Sequence, residues 1–220
     1  GSWTGIGQGE HDDGSEFWLA RTQRLLSTVT ADFETWGVPY GYIRGGGPLE
    51  TKAADAFRAL LRLRERGAIP VASMALVADQ MEPNWILRGE KARLARLAKS
   101  DPDLLLSNED MQAVWGLDAQ AAPYHLKRGN YFLKVLAKAG REAFVIPPKL
   151  RVGTIHSAKG KEADTVHLIT SWGTLPYQAS FTSAGRPAEG CVAYVGATRH
   201  RNVLKLEYAS EGTPYEGFFA

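Results

Sequence analysis

Cysteine is nearly absent from this chain: Cys191 is the only one in 220 residues. That excludes an intramolecular disulfide and a cysteine-built zinc site, and it suits a reducing, cytoplasmic compartment. An excess of one charge is also missing. The 26 lysines and arginines against 24 acidic residues leave a formal net charge of +2, so any basic surface must be local. No apolar run approaches the roughly 20 residues of a membrane span, and no signal peptide opens the chain; no membrane partner is expected. The phosphate loop G-x-x-x-x-G-K-[ST] is absent as well, because "GGGPLETK" (45–52) has the wrong spacing and residues. No acidic metal-binding box follows an apolar strand. ATP hydrolysis needs a phosphate cradle and a magnesium ligand, and this sequence supplies neither.

What is present is the composition of a globular protein, 44% hydrophobic and 23% charged, long enough to bury a real core. Residues 1–16 form a polar, glycine-rich lead-in whose opening Gly1-Ser2 reads as a cloning scar, so the natural protein is expected to begin earlier. "FWLA" (17–20) has the composition of a buried strand. Leu25, Leu26, Val29 and Phe33 then recur at helical spacing up to Gly37. "VPYGYI" (38–43) predicts a second strand. A helix is expected over about 50–66, with Ala56, Leu60, Leu61 and Leu63 on its apolar side and Gly67 past its end. Strand, helix, strand, helix is the grammar of an α/β fold.

Between Pro70 and Gly140 the pattern turns helical, with no convincing strand. Ser107 ahead of Glu109 and Asp110 is a good helix start. Strands return at "LRVGTI" (150–155) and "TVHLIT" (165–170). A helix over "PAEGCVAYVGAT" (187–198) leads to a last strand, "NVLKLEY" (202–208). The expected organisation is one α/β domain over 17–69 and 141–220, interrupted by a helical insertion at 70–140. That insertion should bury Trp85, Leu87, Leu94, Leu97, Trp115, Tyr131, Phe132 and Leu136.

Two polar stretches stand out. "TIHSAKGKEAD" (154–164) gathers a histidine, two lysines, a glutamate and a glycine where an apolar strand ends. In open α/β sheets ligands bind at the carboxyl ends of strands, and Gly160 would let backbone approach one closely. Thr154, His156 and Ser157 offer neutral donors and acceptors. A bland alternative stays open: a polar turn with solvated lysines. "AYVGATRHR" (193–201) ends a helix in Arg199, His200 and Arg201, which ordinary helix-end charge would also explain.

Taken together, "TIHSAKGKEAD" and, about 30 residues later, "VAYVGATRHRNVLKL" resemble motifs V and VI of the UvrD/Rep-like superfamily 1 DNA helicases. "FWLARTQRLLSTVTADFETWGVPYGYIRGGG" is similar to the family's motif IVa region. The chain departs from the family pattern at His200, at Gly190 and Cys191, and in Lys161 and Ala163, which points to a divergent branch. The resemblance implies the second RecA-like domain of a helicase, a mostly parallel sheet flanked by helices, cut from a larger protein.

The resemblance also implies site roles. Arg199 is then the catalytic arginine that reaches the γ-phosphate of ATP, with Gly160 and Glu162 beside the nucleotide. Thr154, His156, Ser157, Arg21 and Tyr215 fall where the family meets single-stranded DNA. The implied ligands are ATP with magnesium, the metal ligands lying on the N-terminal RecA-like domain that would be the main partner. A non-catalytic DNA- or protein-binding module derived from a helicase, or the helicase part of a helicase–nuclease, are the alternatives.

Overall fold

The computed structural model describes residues 14–209 and 212–215. In chain order it begins with β1 (Glu16–Ala20), α1 (Gln23–Trp36), β2 (Gly41–Tyr42) and α2 (Lys52–Arg66). It continues through β3 (Ala68–Pro70), α3 (Val71–Gln80), α4 (Glu90–Ser100), β4 (Leu105–Ser107), α5 (Asn108–Trp115) and α6 (Gly129–Ala139). The last stretch holds β5 (Leu150–Thr154), β6 (Ala163–Ile169), β7 (Ser171–Trp172), α7 (Thr174–Ala179), α8 (Gly185–Ala197), β8 (His200–Glu207) and β9 (Thr213–Pro214). The expected lead-in 1–16 lies outside the described residues except at its end, where Glu16 already opens β1.

Contacts divide the chain into two units: one takes the residues up to Thr35, Tyr40–Gly45 and those from Pro147 on, the other Trp36–Pro39 and Gly46–Ile146. The first is the α/β unit. Five of its strands form one all-parallel sheet, in the order β2-β5-β1-β6-β8, the mostly parallel RecA-like sheet expected, and β7 and β9 pair antiparallel in a separate short ladder. Parallel strands need crossovers, and the apolar faces of the elements between them supply the cover. Leu25, Leu26, Val29 and Phe33 of α1 are all buried, and Phe33 meets Trp18 of β1 edge-on at 5.4 Å. Another core cluster joins Phe17, Leu19, Ile43, Val166 and Leu168, with Val192 and Val195 of α8 packed against it. β2 is only Gly41–Tyr42, shorter than the expected 38–43.

The second unit is helical. Phe57 of α2 stacks on Phe144 at 5.1 Å and packs on Phe132 of α6 at 5.4 Å. Thr51 caps α2 by accepting from Ala54 N, and Gly67 closes it in the left-handed region at φ 77°. Ser107 and Asp110 form a reciprocal capping box that starts α5. The sequence places 46–69 with the sheet, whereas α2 spends its apolar face on this helical unit. An apolar helix face does not itself say which neighbour it will bury against.

Two further differences are local. β3 and β4 form a short antiparallel ladder, Ala68↔Ser107 to Pro70↔Leu105; β4 lies inside the stretch expected to hold no strand and β3 at its start, and three-residue strands are too short for period-2 alternation to show. Leu94, Trp115, Tyr131 and Phe132 are buried as expected, but Trp85 and Leu87 are 39% and 63% exposed. They lie ahead of Gly89, whose φ of 88° marks the start of α4; Trp85 ends a single 3₁₀ turn, Pro83–Trp85, and neither residue lies on the face of α4. Among the described residues no helix is long and apolar enough to cross a membrane.

Candidate functional site

The polar segment after β5 is a crossover. β5 and β6 are parallel and both pair with β1, so the chain must pass from the carboxyl edge of the sheet to its amino edge between Thr154 and Ala163. Thr154 pairs in register with Ala20, the last residue of β1, which fixes it at the carboxyl edge. Its Oγ1 accepts from Ser157 N (3.3 Å), and Ser157 Oγ donates to Thr154 O (2.7 Å). These two hydroxyls therefore build the 3₁₀ turn 155–158. Ile155 and Ala158 are buried against the sheet, while His156 and Lys159 are exposed. The turn is pinned by its apolar residues and displays its polar ones.

Gly153 makes this close packing possible. A Cβ there would sit 2.3 Å from Ser157 Oγ and 2.8 Å from Ile43 Cδ1. Gly153 is a position not singled out from the sequence, although a glycine inside a strand is a signal of close approach. Gly160, in contrast, is a turn glycine at φ 75°, and no atom lies within 4 Å of where its Cβ would be. Its backbone angle, not crowding by the protein, calls for glycine. Lys161 Nζ is tied to Ile43 O. Glu162 is exposed, one residue before β6.

At the amino edge the segment meets the end of α8. Ala163 N donates to Arg199 O at 3.0 Å, and Ala163 pairs with His200 as β8 begins. Glu162 and Arg199 thus enter adjacent strands side by side, on the edge opposite Thr154. The carboxyl-end rule applies to Thr154, His156 and Ser157, while Glu162 and Arg199 lie at the opposite edge. α8 comes close because of Gly196, where a Cβ would lie 2.9 Å from Leu168 Cδ1 and 3.3 Å from Ile155 Cδ1. The Arg199 guanidinium folds back on its own helix: Nε donates to Val195 O (2.9 Å) and Nη2 to Thr198 Oγ1 (3.0 Å). A cation on these last carbonyls is favoured by the helix dipole. Arg201 is paired with Asp164 at 2.9 Å.

At the carboxyl edge the two candidates just beyond the strands, Arg21 and Tyr215, are engaged inside the unit. Arg21 grips Glu189 of α8 in a bidentate pair, both bonds 2.9 Å. The Glu189 hydrogen bonds push its already high pKa further up, against the effect of burial. Tyr215 is 7% exposed and stacks on Trp172 at 3.9 Å and 6°. One face of the ring expected to meet a base is thus covered by Trp172. Beside this cluster an open cavity of about 510 Å³ is lined by Thr22, Arg24, Leu25, Thr174, Leu175 and Gly212, among others. Neither Thr174 nor Arg24 was singled out from the sequence; "SWGTLP", a strand running into Gly-Thr-x-Pro, was the available signal.

Among the described residues no group of three or more His, Cys, Asp or Glu could hold a metal. Residues 130–211 match the family model of the UvrD-like helicase C-terminal domain. No curated protein matches the chain.

Proposed function

From the premise that the chain belongs, through residues 130–211, to the UvrD-like helicase C-terminal domain family, we propose that it is the second RecA-like half of an ATP-dependent DNA helicase or translocase. The observation that carries this reading is the crossover. A single short segment begins at the carboxyl edge with Thr154 and ends at the amino edge with Glu162, whose neighbour Ala163 donates its N–H to Arg199 O. Such a segment can report one ligand to another.

In this reading the amino edge completes an ATP site. Arg199 supplies a guanidinium to the γ-phosphate, where charge spreads over the phosphoryl oxygens in the transition state; an arginine so placed is worth roughly 10³–10⁵ in rate. To do so it exchanges two hydrogen bonds, to Val195 O and Thr198 Oγ1, for phosphate oxygens. Glu162, exposed beside it, accepts from a nucleotide hydroxyl. In this reading the magnesium ligands lie on the N-terminal RecA-like partner domain, and no step here runs through the metal.

The carboxyl edge takes single-stranded DNA. His156 is exposed on the turn, with Thr154 and Ser157 shaping its backbone. The Thr22, Arg24 and Thr174 cavity adds a cation and hydroxyls suited to a phosphodiester. Arg21 and Tyr215 support this edge from within through Glu189 and Trp172.

The test is steady-state ATPase of the full-length protein, with and without single-stranded DNA. Arg199→Ala should abolish most turnover and leave DNA affinity nearly unchanged. The second reading, a non-catalytic binding module, draws on the Arg199 contacts with its own helix end; a full-length protein that binds single-stranded DNA without any turnover would favour it, whereas unchanged turnover in Arg199→Ala would leave Arg199 a helix-end cation.

A further inference from the structure

We propose that the helical unit carries a separate contact for single-stranded nucleic acid, an aromatic platform built on Trp85, His125 and Tyr124 and flanked by Arg88, Lys127 and Arg128. The platform is held by two loops zipped together through their backbones. Glu82 N donates to His125 O (3.0 Å), Lys127 N donates to Gln80 O (3.1 Å), and Met81 and Leu126 form an antiparallel bridge between them. This brings the Trp85 ring onto the His125 ring, with centroids 3.7 Å apart. Trp85 stays 39% exposed and Tyr124, next to His125, is 58% exposed. Apolar rings of this size fixed at a surface are ready to stack on flat, polarisable partners.

The charges around the rings choose the partner. Arg88, Lys127 and Arg128 are exposed, and Glu82 is the one exposed acid on the two loops. Lys91 and Arg93 of α4 are spoken for, the first on Asp79 O and the second on Glu90. Cations beside exposed aromatics suit a polymer with alternating phosphates and bases. A protein partner would need no such alternation.

Arg128 adds an independent sign. It sits at φ 60°, the only non-glycine residue with positive φ among the described residues. Side chains with a Cβ adopt that conformation at a cost, and glycine would occupy the position freely. An arginine kept where glycine is easier is a hypothesis of function. The contact does not rest on the ATP-site assignment, since none of its residues lies in the α/β unit.

The experiment is fluorescence anisotropy of the 220-residue chain with a labelled oligodeoxythymidine, an abasic strand of the same length, and a duplex, across a salt series. Trp85→Ala should weaken oligodeoxythymidine binding about tenfold, the scale of one lost base stack, and leave the abasic strand nearly unaffected. Trp85→Phe should retain affinity. Arg128→Gly should bind more weakly while melting no lower than the wild type. The triple change R88E/K127E/R128G should flatten the salt dependence by about 2, at roughly 0.7 per phosphate.

Unchanged affinity and salt slope in these folded variants would overturn the proposal and leave the patch as a face for protein. Equal losses on duplex and single strand would overturn the stacking. His156→Ala on the same oligonucleotide separates the two readings: loss there, with none in Trp85→Ala, would sink the platform and leave the helicase assignment standing.

Discussion

Arg199 and His156 show how differently two polar candidate residues can be held. Arg199 makes two hydrogen bonds to its own helix end, so its release is part of any role it plays at a phosphate. Arg199→Lys keeps the charge but loses the planar fork; ATPase should fall nearly as far as with Arg199→Ala, whereas a simple helix-end cation would be rescued by lysine. His156 is exposed while its neighbours Ile155 and Ala158 are buried. His156→Ala should therefore leave the melting temperature within a degree or two, since surface changes are usually within about 0.5 kcal/mol, and lower the stimulation of ATPase by DNA. A large drop in melting temperature with normal stimulation would make it a structural histidine. Tyr215 belongs to the opposite case. Its stack on Trp172 predicts that Tyr215→Ala destabilises the unit by about 3–5 kcal/mol, measurable by denaturant unfolding.

At the scale of elements, the sequence was most legible where periodicity runs long enough to count. The buried faces of α1 and α2 follow from apolar spacing, and the Gly67 and Ser107 boundaries follow from capping chemistry. β5 and β6 were legible as short apolar runs. The pairs that hold the carboxyl edge were not: Arg21 and Glu189 are 168 positions apart, and no local pattern announces them. The short β3–β4 ladder and the exposed Trp85 loop were hidden for the opposite reason, because each is too short to carry a period.

The strands also predict a response to acid. His167 in β6 is 3% exposed, with Nδ1 2.7 Å from Glu207 Oε1 of β8 and Nε2 3.0 Å from Glu16 Oε1 of β1. Trp18 stacks on its ring at 4.2 Å. Burial pushes the Glu16 carboxyl up, but hydrogen bonds from His167 and Trp18, helped by the charge of Lys205, outweigh it and hold the carboxyl below its ordinary value of 4.5. A depressed carboxylate stabilises the fold above its unfolded pKa, and that contribution is lost as pH falls through the folded value. Stability should therefore drop below pH 4.5, and Glu16→Gln should flatten that acid limb in a series of denaturant melts. An unaltered acid limb in the variant would show that other carboxylates govern it.

For the whole molecule, the decisive geometry is the meeting of the crossover with α8, and Gly196 sets the distance. Any Cβ there meets Leu168 and Ile155, one on the central sheet and one on the turn that displays His156. If the turn relays DNA binding at one edge to the Arg199 end of α8 at the other, the relay depends on this tight packing. Gly196→Val would push the helix outward; overpacking of this kind costs about 1–3 kcal/mol, so the unit should still fold. The expected outcome in the full-length protein is a split phenotype. Basal ATPase and DNA affinity should each survive within a few-fold, while the stimulation of one by the other collapses. Gly196→Ala should fall between wild type and valine, because its single methyl meets flexible side-chain ends at 2.9 and 3.3 Å and leaves them room to turn aside. Stimulation that stays intact in a stably folded Gly196→Val protein would mean that the two edges communicate by another route, through β1 and the Arg21–Glu189 pair that also joins the sheet's carboxyl edge to α8.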